Sequence, residues 1–92
     1  MATHLRIIGL VQGVGYRASF EAQARALDLS GWVRNRTDGS VEAVVQGAPD
    51  AVGKIIAWSK RGPSAARVKE VVVSDADDAP LSPGRFEVRP TA

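Results

Sequence analysis

The segment Gly9-Leu-Val-Gln-Gly-Val-Gly-Tyr-Arg-Ala-Ser19 sets three glycines just ahead of an arginine. Backbone N–H groups from Gln12, Gly13, Val14, Gly15 and Tyr16 lie there beside the start of a helix. Glycines, having no side chain, let an anion approach such groups closely. A guanidinium facing the same point would complete a phosphate site, because its planar fork of donors suits phosphate oxygens. Arg17 supplies that guanidinium. It stands where a cation opposes the helix macrodipole and a carboxylate would be favoured, so helix stability does not explain it. Further on, Asn35 falls in a strand pattern that disfavours asparagine. Its parity matches Val33, so it points with an apolar residue and away from Arg34 and Arg36. Such an asparagine either satisfies itself beside a hairpin end or offers a fixed amide to a water or a substrate oxygen. Spacing alone leaves both open.

Gly13-Val-Gly15-Tyr-Arg-Ala18 also fits the dinucleotide pattern G-x-G-x-x-G/A, with Asp38 at a suitable distance. The wider context rejects that reading. Asp38 belongs to a hairpin turn, and the chain lacks the repeated crossovers of a doubly wound sheet. No Gly-Lys-Ser/Thr follows, so a Walker loop is absent too. An oxyanion cradle or a plain structural turn remains.

Composition narrows the chemistry. The 92 residues fit one domain (1–92) with a single core. An apolar content of 45% and a charged content of 24% are those of a folded soluble domain. There is no cysteine, which removes disulfides, thiolate metal sites and thiol nucleophiles. His4 is the only histidine, so histidine-based metal clusters and Ser-His-Asp triads are excluded as well. The net charge of +2 comes from interspersed acids and bases, which argues against charge-driven nucleic-acid binding. With no leader pattern and no apolar run of membrane-spanning length, a cytoplasmic location is expected.

The elements that must position Arg17 and Asn35 follow from periodicity. Leu5, Ile7 and Gly9 alternate with His4, Arg6 and Ile8, which reads as a strand with at least one buried face. A helix is expected from Arg17 to about Asp28, with Phe20, Ala24 and Leu27 on one face. Trp32–Arg36 and Val41–Val45 read as strands joined through Asp38-Gly39, a strong hairpin signal. Gly47 and Pro49 open a second helix to about Lys60, ended by Gly62-Pro63. Val68–Val73 and the stretch around Phe86–Val88 are further strands, with a polar turn from Ser74 to Gly84 between them. The order is βαββαβ plus a short C-terminal strand. It predicts an α+β fold, a ferredoxin-like α/β sandwich with a mostly antiparallel sheet and two helices on one face.

These residues carry a resemblance. Val11-Gln12-Gly13-Val14-Gly15-Tyr16-Arg17, followed by Gly31, Trp32, Asn35, Gly39, Val41 and Gly47, resembles the paired signature of the acylphosphatase family. The similarity continues through Arg61-Gly-Pro-Ser-Ala-Ala-Arg-Val68 and Phe86-Glu-Val-Arg-Pro90. It implies hydrolysis of acyl phosphates to a carboxylate and inorganic phosphate, with no metal or cofactor. Arg17 would be the phosphate-binding arginine and Gln12 to Tyr16 the backbone cradle. Asn35 would orient the attacking water, whose proton a substrate phosphate oxygen can take. The chemistry suits what the chain lacks. A loose phosphoryl-transfer transition state asks mainly for positioning and charge stabilisation. A carboxylate leaving group is a weak base that needs no general acid. The implied partners are a small-molecule acyl phosphate and inorganic phosphate, for a monomer without nucleic acid or membrane.

Two details depart from the family pattern. Gly15 fills the motif's variable position, where it should loosen or widen the cradle. In some relatives a terminal carboxylate after the last strand contacts the arginine, whereas here Pro90, Thr91 and Ala92 follow Arg89. Other readings are a carbamoyl-phosphate-handling domain like that of hydrogenase-maturation carbamoyltransferases, a silent interaction domain, or a ferredoxin-like RNA-binding module. The last needs aromatic residues and a basic stripe on the open sheet face. As scaffold, Tyr16 and Phe20 should pack beneath the loop, with Trp32 and Trp58 as packing residues. Ser19 and Thr37 are within reach of the site, and His4 should sit at the surface or a strand end.

Overall fold

The computed structural model describes residues 2–77 and 85–92. Its elements are β1 (Ala2–Leu10), α1 (Tyr16–Ala26), β2 (Ser30–Asn35), β3 (Val41–Gln46), α2 (Pro49–Ser59), β4 (Arg67–Ala76) and β5 (Phe86–Val88). The strands form one sheet in the order β4-β1-β3-β2-β5. All pairings are antiparallel except β2 with β5, which is parallel. With both helices on one face, this is the ferredoxin-like α+β sandwich that the element order predicts. No helix among the described residues is long and apolar enough to cross a membrane.

The main departure from the sequence pattern lies in β4. Its apolar run ends at Val73, yet the strand continues through Ser74, Asp75 and Ala76, which pair with His4, Thr3 and Ala2. Backbone hydrogen bonding to β1 extends this edge strand without help from apolar side chains. The first residues of the expected turn, Ser74 to Ala76, therefore belong to the strand, and positions 78–84 lie outside the described residues.

Register assigns the faces. Leu5 and Ile7 stand opposite Ala43 and Val41, while Val33 and Asn35 stand opposite Ala43 and Val41 from the other side. Asn35 therefore shares the helix-covered face with the core, as its parity requires. Tyr16, Phe20 and Ala24 from α1 meet Ala51 and Ile55 from α2 over this face. Tyr16 and Phe20 are fully buried, as expected. Their rings lie 6.3 Å apart, and the Trp58 ring is 5.4 Å from Tyr16 and 5.9 Å from Phe20. The Tyr16 hydroxyl donates to Ser59 O at 2.8 Å, and burial pushes its pKa above the ordinary phenol value.

The open face carries charge. Glu42, on β3, accepts from His4 Nε2 at 2.7 Å, Arg34 Nε at 2.7 Å and Arg36 Nη1 at 3.0 Å. His4 is thus the third residue of β1, partly buried on the open face with a fixed partner. Partial burial alone would raise the Glu42 pKa. The bonds from His4, Arg34 and Arg36 outweigh it and hold the carboxyl at about 2, against an ordinary 4.5. A carboxyl depressed in the folded state stabilises fully above its unfolded pKa and stops doing so as pH falls through its folded one. The cluster's contribution is therefore present above pH 4.5 and lost towards pH 2. Glu42→Gln should lower the urea midpoint at pH 7 and flatten its acid dependence over that window. An unchanged acid limb in the variant would show that the cluster does not contribute.

Candidate active site

The loop between β1 and α1 is built by two left-handed glycines and the residues on either side of them. Val11 is buried and anchors the loop's start, and Tyr16 is buried and anchors its end. Between them Gly13 has φ 75° and Gly15 φ 79°. Gly15 is the helix N-cap, and no side chain caps α1 or places an acid in its first turn. The first intrahelical bond runs from Ser19 N–H to Gly15 O at 3.1 Å. The N–H groups before Ser19 therefore have no intrahelical acceptor, and the positive end of the helix dipole lies open.

Residues of this loop and helix start line a pocket of about 290 Å³. Gln12, Gly13, Gly15, Tyr16 and Arg17 line it, and so does Asn35 at the end of β2. Sequence-distant residues singled out for the same chemistry thus meet in one cavity. Val14 is the exception among them, since its side chain packs against the core and does not line the pocket. Ser19 and Thr37 do not line it either. Gly15 takes a left-handed conformation that glycine adopts with little strain, so it fits the loop's turn.

Asn35 is fixed by its backbone and free at its side chain. Its C=O accepts from Ala92 N–H at 3.0 Å, Thr37 N–H donates to Ala92 O at 2.9 Å, and Arg89 N–H donates to Val33 O at 2.9 Å. The chain after β5 therefore runs on beside β2 and bonds to the strand end. Among the described residues Arg17 makes no ion pair, so the arginine faces the pocket without an internal carboxylate. Oδ1 of Asn35 is buried and has no hydrogen-bond partner among the described residues. A buried acceptor of this kind costs free energy unless a ligand or water serves it.

Four lining residues, Val11, Ala18, Glu21 and Val88, were not singled out as site residues from the sequence. Glu21 follows Arg17 at i+4 and so lies on the same helix face; that spacing could have flagged it. It pairs with Arg25 at 3.1 Å, and Arg25 also donates to Phe86 O at 3.1 Å, tying α1 to β5. Val88 lines the pocket from β5, two residues on from buried Phe86. Trp32 lies on the opposite, open face, half-buried, with the Arg34 and Arg89 guanidinium carbons 4.7 and 4.9 Å from its ring centre.

The ferredoxin-like α+β sandwich thus gathers an uncapped helix start, an arginine and a buried amide oxygen without a partner among the described residues around one pocket. The comparisons specify it further. The acylphosphatase family model matches residues 3–88. An acylphosphatase of Azoarcus sp. is 55% identical, covering 95% of this chain and 87% of its own. The crystal structure of acylphosphatase from Bacillus subtilis superposes with a TM-score of 0.88 at 30% identity, over 96% of this chain and 97% of that one. Full-length HypF in a phosphate- and nucleotide-bound form contains a similar unit, with a TM-score of 0.86 at 26% identity; 98% of this chain matches 12% of that one. The chain belongs to the acylphosphatase family.

A Cβ added at Gly15 would meet no atom within 4 Å, so substitution there tests backbone strain alone. Gly15→Ala should cost about 1–2 kcal/mol in urea unfolding, the penalty of a left-handed L-residue. Gly15→Asn should cost less, because asparagine tolerates that conformation. Equal losses for the two would place the penalty elsewhere.

Proposed function

We propose that this chain hydrolyses the carboxyl–phosphate anhydride of acyl phosphates with Arg17, the loop from Gln12 to Tyr16 and Asn35 as its working parts. One observation carries the proposal. An uncapped helix N-terminus, a guanidinium without an internal partner and a buried unpartnered amide oxygen line the same pocket. In this reading the phosphoryl oxygens take the loop N–H groups and the Arg17 fork. Water donates one O–H to Asn35 Oδ1, which turns its lone pair towards phosphorus. The water oxygen bonds to phosphorus as the bond to the bridging oxygen breaks. The electron pair leaves with the carboxylate, and the water's proton passes to a phosphate oxygen.

The energetics favour an anhydride over an ester. A carboxylate leaves without protonation, whereas an alkoxide needs an acid. Among the described residues the only carboxyl lining the pocket is Glu21, which pairs with Arg25 at 3.1 Å. The charge that develops is met by preorganised donors, which give most of the rate in phosphoryl transfer. Nucleic acid is disfavoured as a partner, because the open-face arginines are committed. Arg34 and Arg36 pair with Glu42, Arg6 with Asp38 and Arg89 with Glu87. The reading is of a monomer in the cytoplasm acting on a small molecule, with no metal or cofactor.

Benzoyl phosphate and p-nitrophenyl phosphate, assayed side by side with inorganic phosphate as competitor, test this directly. The anhydride should be hydrolysed, the ester left, and phosphate should inhibit competitively; hydrolysis of the ester alone would overturn the reading. Arg17→Ala should lose both turnover and phosphate inhibition. Asn35→Ala should keep phosphate inhibition and its fold while kcat falls about 100-fold, the scale of removing one preorganised polar group. Turnover near wild type in Asn35→Ala would remove that residue from the mechanism.

A further inference from the structure

The cradle and the asparagine come from segments that no sheet pairing holds together. β3 lies between β1 and β2, and the pairing of β1 with β3 ends at Ile7 opposite Val41. Beyond Ile7 the path to the loop and the path to the hairpin diverge, yet the pocket needs them at a fixed separation. The Gln12 side chain links the loop itself to the hairpin, while Arg6 ties β1 to Asp38 in the same turn. Nε2 of Gln12 donates to Arg36 O at 2.7 Å and to Ser40 O at 2.8 Å. These are the residues that close the hairpin, where Arg36 N–H donates to Ser40 O at 2.9 Å and Gly39 N–H to Arg36 O at 3.1 Å. Asn35 immediately precedes Arg36.

The receiving end is itself rigid. Asp38 Oδ1 accepts from Ser40 N–H at 2.9 Å and from Ser40 Oγ at 2.6 Å. With Arg6 also on its carboxylate, these contacts depress the Asp38 pKa to about 2, so the turn stays ionised and closed across the physiological range. Only an amide suits the linking position. It has two N–H donors for two carbonyls, whereas a carboxylate of the same length would set acceptors against acceptors.

We propose that the Gln12 side chain is a positioning residue that sets the separation between bound phosphate and the water held by Asn35. Gln12 then has two roles, with its backbone in the cradle and its amide on the hairpin. The inference rests on the assignment of Arg17 and Asn35 above, and its consequence is specific. Removing the link should leave phosphate bound and place the water badly, which lowers kcat and spares affinity.

Gln12→Leu keeps the size and removes both donors. With benzoyl phosphate its kcat should fall about tenfold, within the range that sub-ångström to 1 Å misplacement costs. The inhibition constant for inorganic phosphate should stay within about twofold of wild type. In an Asn35→Ala background the same change should cost less than about twofold, because a residue acting through Asn35 has nothing left to position. Equal losses in the two backgrounds, an unchanged kcat whatever the melting temperature, or a large rise in the phosphate constant would each overturn the inference. If Asn35→Ala itself turns over at the wild-type rate, the underlying site reading falls instead, and the inference with it. Gln12→Glu gives a second readout. Its kcat should recover relative to wild type as pH falls and the introduced carboxyl becomes a donor, and a ratio flat with pH would again overturn the proposal.

Discussion

The site depends on the burial of Tyr16 directly after a left-handed glycine. Tyr16 is held in the core by Phe20 and Trp58, and its hydroxyl reaches across to Ser59 O on α2 at 2.8 Å. That bond matters because a buried phenol without a partner would cost free energy. Space for the ring is equally tight, since a Cβ at Gly62 would come within 2.8 Å of Tyr16 Cε2. Successive residues of a helix are turned by about 100°, so a fixed Tyr16 sets the direction of Arg17. The arginine is swung out of the core onto the pocket's edge, and the uncapped N–H groups before it open into the same space.

This arrangement forgoes local stability. A helix start normally gains about 0.5–2 kcal/mol from a capping side chain, and more from an acid in its first turn. α1 has neither, and it carries a cation at its second position. A side-chain cap would occupy the N–H groups that an anion needs. A first-turn carboxylate would repel that anion and neutralise Arg17. The aromatic cluster beneath the loop compensates from below, where it does not compete with a ligand. Foldability and site chemistry therefore use different faces of the same helix turn.

What could be read from sequence followed from short-range pattern. The glycines before Arg17 marked the loop, strand parity turned Asn35 inward, and Asp38-Gly39 placed the hairpin. Each signal lies within a few residues of the feature it describes. The parts that escaped are long-range or independent of side-chain type. β4 extends through Ser74 and Asp75 because β1 offers backbone partners, which hydropathy does not encode. Nothing near His4 or Gln12 in the chain announces that the first will meet Glu42 or the second Arg36 and Ser40. Such contacts exist only once β3 has been laid between β1 and β2. Glu21 lies between these cases. Its i+4 spacing from Arg17 was visible, but its place in the pocket required knowing which face of α1 stays uncovered.

The two faces of the sheet explain why cations can flank the asparagine without diverting the ligand. Arg34 and Arg36 are its immediate neighbours, and strand alternation sends both to the open side while Asn35 faces the helices. There Glu42 takes a bond from each, and His4 supplies a third. Left unpaired, two guanidinium groups next to the site would repel one another and offer a phosphate a competing binding surface. Paired with one carboxylate held near pKa 2, they are tied to the open face and one of their two charges is offset. Arg17, which makes no ion pair among the described residues, and the uncapped start of α1 belong to the pocket on the helix-covered face. The sheet thus keeps the paired arginines on one face and sets Asn35 Oδ1, buried without a donor among the described residues, beside the pocket on the other.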